Sequence, residues 1–182
     1  TNMKTNKKIQ QMARLACVAV LAAMAVSSSA HAQSAWQTVL DYQLAAGKSA
    51  DQIAVFGARF EELHRGGWDP DARLADQARD GVAGEILYPT VGMVLCNHRD
   101  FDYKKACFDA YNLWIAEYCA AHPQRLIGTG QTAMRSVAEG IEDLRRMKEL
   151  GLRGVMMPGN PAVSDYHDPV YAPFYEAAID LK

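Results

Sequence analysis

Apolar residues recur at three- and four-residue steps in several stretches of the chain. Between them lie short apolar runs closed by glycine or proline. From Glu139 to Leu150 the apolar positions are Ile141, Leu144, Met147 and Leu150, with charges filling the other face, which predicts an amphipathic helix. Gly151 follows the last of them, where a left-handed cap costs a residue without a Cβ least, and Arg146 and Lys148 suit the negative end of the helix dipole. Leu152 to Met157 is short, largely apolar and stopped by Pro158, and reads as a strand buried on both faces. The same order occurs upstream. Asp69 and Pro70 supply an N-cap and a first helical position for a helix through Leu74 and Ala78 to Asp80; Gly81 stops it, and Val82 to Tyr88 reads as a strand. An amphipathic helix over Lys105 to Ala121, carrying Cys107, Phe108, Tyr111, Trp114, Ile115 and Tyr118, ends at His122-Pro123. Arg125 to Thr132 then reads as a third strand, with Gly128 and Gly130 allowing close backbone approach. A last helix starts at Asp168-Pro169 and carries Tyr171, Phe174, Ala178 and Leu181. Residues 91–104 are left as a polar loop.

The order α-β-α-β-α-β-α with short αβ joints requires right-handed crossovers and a parallel sheet. Three strands do not close a barrel. Chemistry is then expected at the carboxyl ends of the strands, where parallel α/β folds keep their ligand sites.

Composition changes this picture mainly at the N-terminus. Lys4, Lys7, Lys8 and Arg14 precede an uncharged run of 12 residues from Leu15 to Val26, followed by Ala30-His31-Ala32. This order is that of a secretory signal, too short to span a bilayer, with cleavage expected after Ala32 and a periplasmic or secreted destination. Residues 1–32 carry four of the 19 basic side chains and no acidic one, so the mature chain holds 15 against 21 acidic and a net charge of −6. Such a chain has no basic patch, so nucleic acid and, after signal cleavage, the membrane are excluded as partners. Cys96, Cys107 and Cys119 show no zinc-type spacing and read as packing residues, although free thiols are uncommon in exported proteins. Residues 33–65 read as a helical N-terminal extension, with helical spacing at Trp36, Val39, Leu40 and Leu44 and no strand.

Three segments, GGWDPDARLADQARDGVAGEILYPTVGM (66–93), KKACFDAYNLWIAEYCAAHPQRLIGTGQ (104–131) and KELGLRGVMMPGNP (148–161), resemble the amidohydrolase-related family in its aminocarboxymuconate-semialdehyde-decarboxylase-like branch. The resemblance covers roughly residues 54–182. It implies an α/β fold, a partial (β/α)8 TIM barrel over residues 66–182, with Glu85–Tyr88, Leu126–Gly130 and Arg153–Met157 as its second to fourth strands. It also implies a divalent metal, zinc above all, and hydrolysis or decarboxylation of a small carboxylated or aromatic substrate. The family's first-strand His-x-His motif has no counterpart between Gln33 and Arg65, and its other ligands belong to later strands. The expected metal set within this chain is therefore empty, and no divalent metal is expected to bind it alone. Two readings follow: the N-terminal half of a metal-dependent hydrolase or decarboxylase, or an inactive half-barrel serving as a binding or assembly module. Either one is expected to dimerise or aggregate through its open sheet edges.

The residues singled out for substrate contact are His98, with Asp100 and Asp102, after the second barrel strand; Arg135, with Gln131 and Met134, after the third; and Asn160 after the fourth. Arg135 offers a planar fork to a substrate carboxylate. The plainer alternatives are a solvated loop for His98, a salt bridge to neighbouring acidic residues for Arg135 and a Gly-Asn-Pro turn for Asn160. Asn112 is expected buried and bonded to a nearby loop, His122 at a helix end, and His167, between Asp165 and Asp168, in a solvated loop.

Overall fold

The computed structural model describes residues 64–181, so the expected leader at 1–32 and all but the last two residues of the 33–65 extension lie outside the described residues. A 3-10 turn over Arg65–Gly67 leads into α1, Pro70–Asp80. Asp69 Oδ1 accepts the backbone N–H groups of Asp71 and Ala72 at 3.0 and 3.2 Å. Gly81, at φ +71°, ends the helix as expected. Strand β1 is Glu85–Leu87.

The stretch read as a loop over 91–104 is largely helical. It holds a short helix α2, Thr90–Leu95, and the first turn of α3, Phe101–Ala120. α3 begins four residues before Lys105 because Asp100 is its cap, its Oδ1 accepting the N–H groups of Asp102 and Tyr103 at 3.0 Å each. Strand β2, Leu126–Gln131, and helix α4, Val137–Glu149, follow. In α4, Ser136 Oγ accepts Glu139 N–H at 3.1 Å, and the Glu139 carboxylate takes Arg135 N–H at 3.1 Å, a capping box displaced by one residue. Gly151, at φ +80°, turns the chain into β3, Gly154–Met156. A 3-10 turn over Pro169–Tyr171 runs into α5, Ala172–Asp180.

The three strands form one parallel sheet in the order β1-β2-β3, with Ile86 opposite Ile127 and Thr129 opposite Gly154. Helices cover one of its faces. A Cβ on Gly128 would lie 2.9 Å from Ile115 and 3.1 Å from Cys119 and Leu152, and one on Gly130 would lie 2.6 Å from Met147 Sδ, so both glycines let α3 and α4 close on the strand. Ile115, Tyr118, Cys119, Leu126, Met147 and Leu152 make up that core, and a second forms where Tyr171 and Phe174 meet Met134 and Leu144.

Pairing puts Ile86, Ile127, Thr129, Gln131, Gly154 and Met156 on the other face. No described helix packs along its full length, and Ile86 is 54% exposed. This corrects the reading of 152–157 as a strand buried on both faces: Gly154, Val155 and Met156 are half-buried at the sheet's edge. Leu150 is a second correction. It falls at the helix C-cap and stands 36% exposed, because the chain turns there and Leu152 takes the core position instead. Cys96, Cys107 and Cys119 are free and buried, as the packing reading requires.

Candidate active site at the carboxyl ends of the strands

Chain leaving β1, β2 and β3 gathers at one rim. Asn160 Nδ2 donates to Asn97 Oδ1 at 2.9 Å, joining the exits of the two outer strands across the central one. Tyr166 braces the β3 exit, its hydroxyl donating to Pro158 O at 2.6 Å.

The β2 exit is fixed from below. Asn112, buried on α3, donates through Nδ2 to Gln131 O at 2.8 Å and accepts Gln131 N–H on Oδ1 at 2.7 Å. Its expected partner was a loop; the actual one is the last residue of the central strand. Thr132 Oγ1 donates to Asp143 Oδ2 at 2.7 Å and accepts Met134 N–H at 3.1 Å. Asp143 also takes Lys105 Nζ at 2.7 Å. This network holds Met134, buried, at φ +50°, a region bulky side chains rarely enter.

Under the rim, Lys104 is 4% exposed. Its Nζ donates to Cys96 O at 3.2 Å and lies 4.0 Å from the centre of the Phe101 ring. Burial pulls the Lys104 ammonium below its ordinary pKa and pushes the Cys96 thiol above its own. On the other side of Cys96, Gln131 Nε2 sits 3.7 Å from the sulfur. Gln131 Oε1 is buried without a hydrogen-bond partner among the described residues, and it packs so closely on Gly92 of α2 that a Cβ there would overlap the amide.

The three residues expected to touch substrate lie around this region. His98 is half-buried; its Nδ1 accepts Asp100 N–H at 3.2 Å and its ring centre lies 4.7 Å from that of Tyr103, tilted by 44°. Arg135 pairs with Asp102 at 2.6 Å and with Glu139 at 3.5 Å, so both its neighbours are acidic, and the Asp102 contact raises its pKa. Asn160 is exposed on the rim. Elsewhere, His122 pairs with Asp71 at 2.7 Å near the end of α3, away from the rim. Asp168 caps the final turn, accepting Val170 N–H and the Ser164 hydroxyl at 2.9 Å each, so the His167 neighbourhood is a capped loop.

Sequence reading missed Lys104. Its signal was present: Lys104, Phe108, Tyr111 and Ile115 follow helical steps, which puts a lysine on the apolar stripe of α3.

The donor set does not suit a divalent metal. Among the described residues no group of three or more His, Cys, Asp or Glu converges. The nearest candidates, His98, Asp100 and Asp102, are spent on a backbone N–H, a helix cap and Arg135.

An amidohydrolase family model matches residues 28–182. The 2-amino-3-carboxymuconate-6-semialdehyde decarboxylase of Dictyostelium discoideum is 31% identical over 137 residues, which is 71% of this chain and 36% of the relative. The chain thus spans about a third of the length of that curated relative. Among solved structures, 5-carboxyvanillate decarboxylase from Novosphingobium aromaticivorans, with bound manganese and 3-methoxy-4-hydroxy-5-nitrobenzoic acid, is similar at 22% identity and a TM-score of 0.52, covering 60% of this chain and 31% of that one. 2,6-Dihydroxybenzoate decarboxylase in complex with 2,6-dihydroxybenzoate is 19% identical with a TM-score of 0.53, over 79% of this chain and 43% of that one. The enzyme of the same name from Rhizobium gives a TM-score of 0.52 at 19% identity, over 80% and 43% of the respective chains. At such identities these structures bear on the fold alone.

Proposed function

This chain belongs to the amidohydrolase family, and we propose that it forms the β1–β3 sector of a divalent-metal-dependent decarboxylase acting on a small carboxylated substrate, aromatic or muconate-like, bound at the carboxyl ends of the strands. The observation that carries this reading is the match to a decarboxylase along 71% of the chain. In it, His98 and Asn160 border the substrate and Arg135, at the rim, draws a carboxylated molecule inward. The metal is manganese or zinc. Its ligands come from outside the described residues, and the described ones bind and orient substrate. Residues 1–32 direct export to the periplasm or the medium, and N-terminal sequencing of cell-derived protein should then begin at Gln33.

Protein translated from the complete gene tests the reading, through metal content by mass spectrometry and CO2 release from 2-amino-3-carboxymuconate-6-semialdehyde and 2,6-dihydroxybenzoate. Metal-dependent release that a chelator abolishes is expected. A protein that binds no divalent metal and releases CO2 from neither compound refutes it.

A second reading is an inactive half-barrel that works as a binding or assembly module through the sheet face that further barrel strands would cover in the first. Ile86 and Tyr88, 54% and 63% exposed, lie on and next to the sheet face that a (β/α)8 barrel encloses. This module would form dimers or larger assemblies, read by light scattering, without releasing CO2.

A further inference from the structure

We propose that Lys104 is the cation that receives the substrate's carboxylate; this deepens the reading of a carboxylated substrate above and rests on it. Buried charges are ordinarily paired, because the cost of taking an ion out of water must be offset by an opposite charge. The neighbouring cations obey this rule. Lys105 holds Asp143 at 2.7 Å and Asp109 at 3.2 Å, and Arg135 holds Asp102 at 2.6 Å. Lys104 is more deeply buried than either and has no carboxylate within salt-bridge distance among the described residues. Among the described residues its three N–H donors meet one neutral carbonyl, that of Cys96, and the face of Phe101.

Position turns this deficit into a ligand argument. Cys96, which Lys104 touches, stands after β1, and Gln131, which reaches the Cys96 sulfur, ends β2, so the lysine lies toward the end of the sheet where parallel folds bind small molecules. An anion reaching Lys104 supplies the missing countercharge. Arg135, already held by two carboxylates, is left to act from the rim.

Calorimetric titration of the full chain with benzoate and with its neutral analogue benzamide tests the proposal. The unaltered chain should prefer benzoate. Lys104→Met should lower benzoate affinity by roughly tenfold to a hundredfold, to the benzamide level, the span expected for a hydrogen bond to a charged group. Lys104→Arg, which keeps the charge, should retain the preference. If Lys104→Met does not fold, side-chain NMR of lysine-labelled unaltered chain takes its place: a benzoate-specific shift of one ammonium resonance supports the assignment, and none overturns it. Preference retained in Lys104→Met removes Lys104 and leaves the carboxylate site standing. An unaltered chain with no preference overturns both.

Discussion

Asn112 is the residue whose replacement should cost most for its size. Its side chain closes two hydrogen bonds on the backbone of Gln131, at 2.8 and 2.7 Å, in a place where neither partner has access to water. Asn112→Ala leaves a buried N–H and a buried carbonyl unpaired, at about 1–3 kcal/mol each. The sum, about 2–6 kcal/mol, is a large share of the 5–15 kcal/mol or so that hold a typical domain together. Urea denaturation followed by circular dichroism should show a lower midpoint at an unchanged slope, with a Tm fall on the order of 10 °C. Asn112→Asp separates this account from simple loss of packing. The introduced carboxylate still accepts the Gln131 N–H, but its other oxygen faces the Gln131 carbonyl, so at neutral pH this variant should be no more stable than Asn112→Ala. Its folded state favours the protonated acid, which donates as the amide did, so its stability should rise as pH falls toward 5. An alanine variant within about 0.5 kcal/mol of the parent, or an aspartate variant indifferent to pH, would refute the two-bond clamp.

Three further outcomes follow from the packing. Glu85 is held below the ordinary carboxylate range, first by its hydrogen bond from Arg73 and also by one from Gln77, so the stability it adds is present above that range and lost as pH falls through its folded value. Glu85→Gln should therefore be less stable than the parent at pH 7 and show a flatter decline below about pH 4; coincident stability–pH curves would contradict this. Gly130→Ala should cost about 1–3 kcal/mol, since the new methyl meets Met147, whereas Gly159→Ala, with open space around it, should be close to neutral; equal melting shifts would count against this packing. Burial raises the thiol pKa of Cys96 and Cys107 and pushes that of Cys119 up to about 11, so mapped alkylation at pH 8 should spare all three until denaturant is added. Prompt labelling of the native chain would show them to be open.

The helix starts and stops could be read from sequence because they depend on single residues with local chemistry. Asp69-Pro70, Gly81 and Gly151 each do what their side chains, or lack of one, dictate. Where sequence reading failed, distant partners decided the outcome. Nothing local to Thr90–Leu95 announces a helix; its Gly92 packs on the amide of Gln131, 39 residues later in the chain. Leu150 keeps the apolar spacing of α4 yet loses its core position to Leu152, because the turn at Gly151 redirects the chain. His98, Arg135 and Asn160 were singled out from their place after strands, and the structure sets them around the rim. Lys104 was missed because the helix was started at Lys105, which left the lysine in the stretch read as a polar loop, whereas the cap at Asp100 starts the helix at Phe101. Asp102 is the partner that turns Arg135 toward the salt-bridge alternative, and it comes from a helix turn that had been read as loop.

The left-handed glycines at 81 and 151 both sit at the amino ends of strands, while the candidate site lies past their carboxyl ends. The six residues of β2 put roughly 20 Å between these two poles. A dye, an affinity tag or a surface anchor attached at the glycine pole therefore leaves the candidate-site end open to solution. That pole is the place to fasten the molecule when its ligand traffic is to be watched one copy at a time.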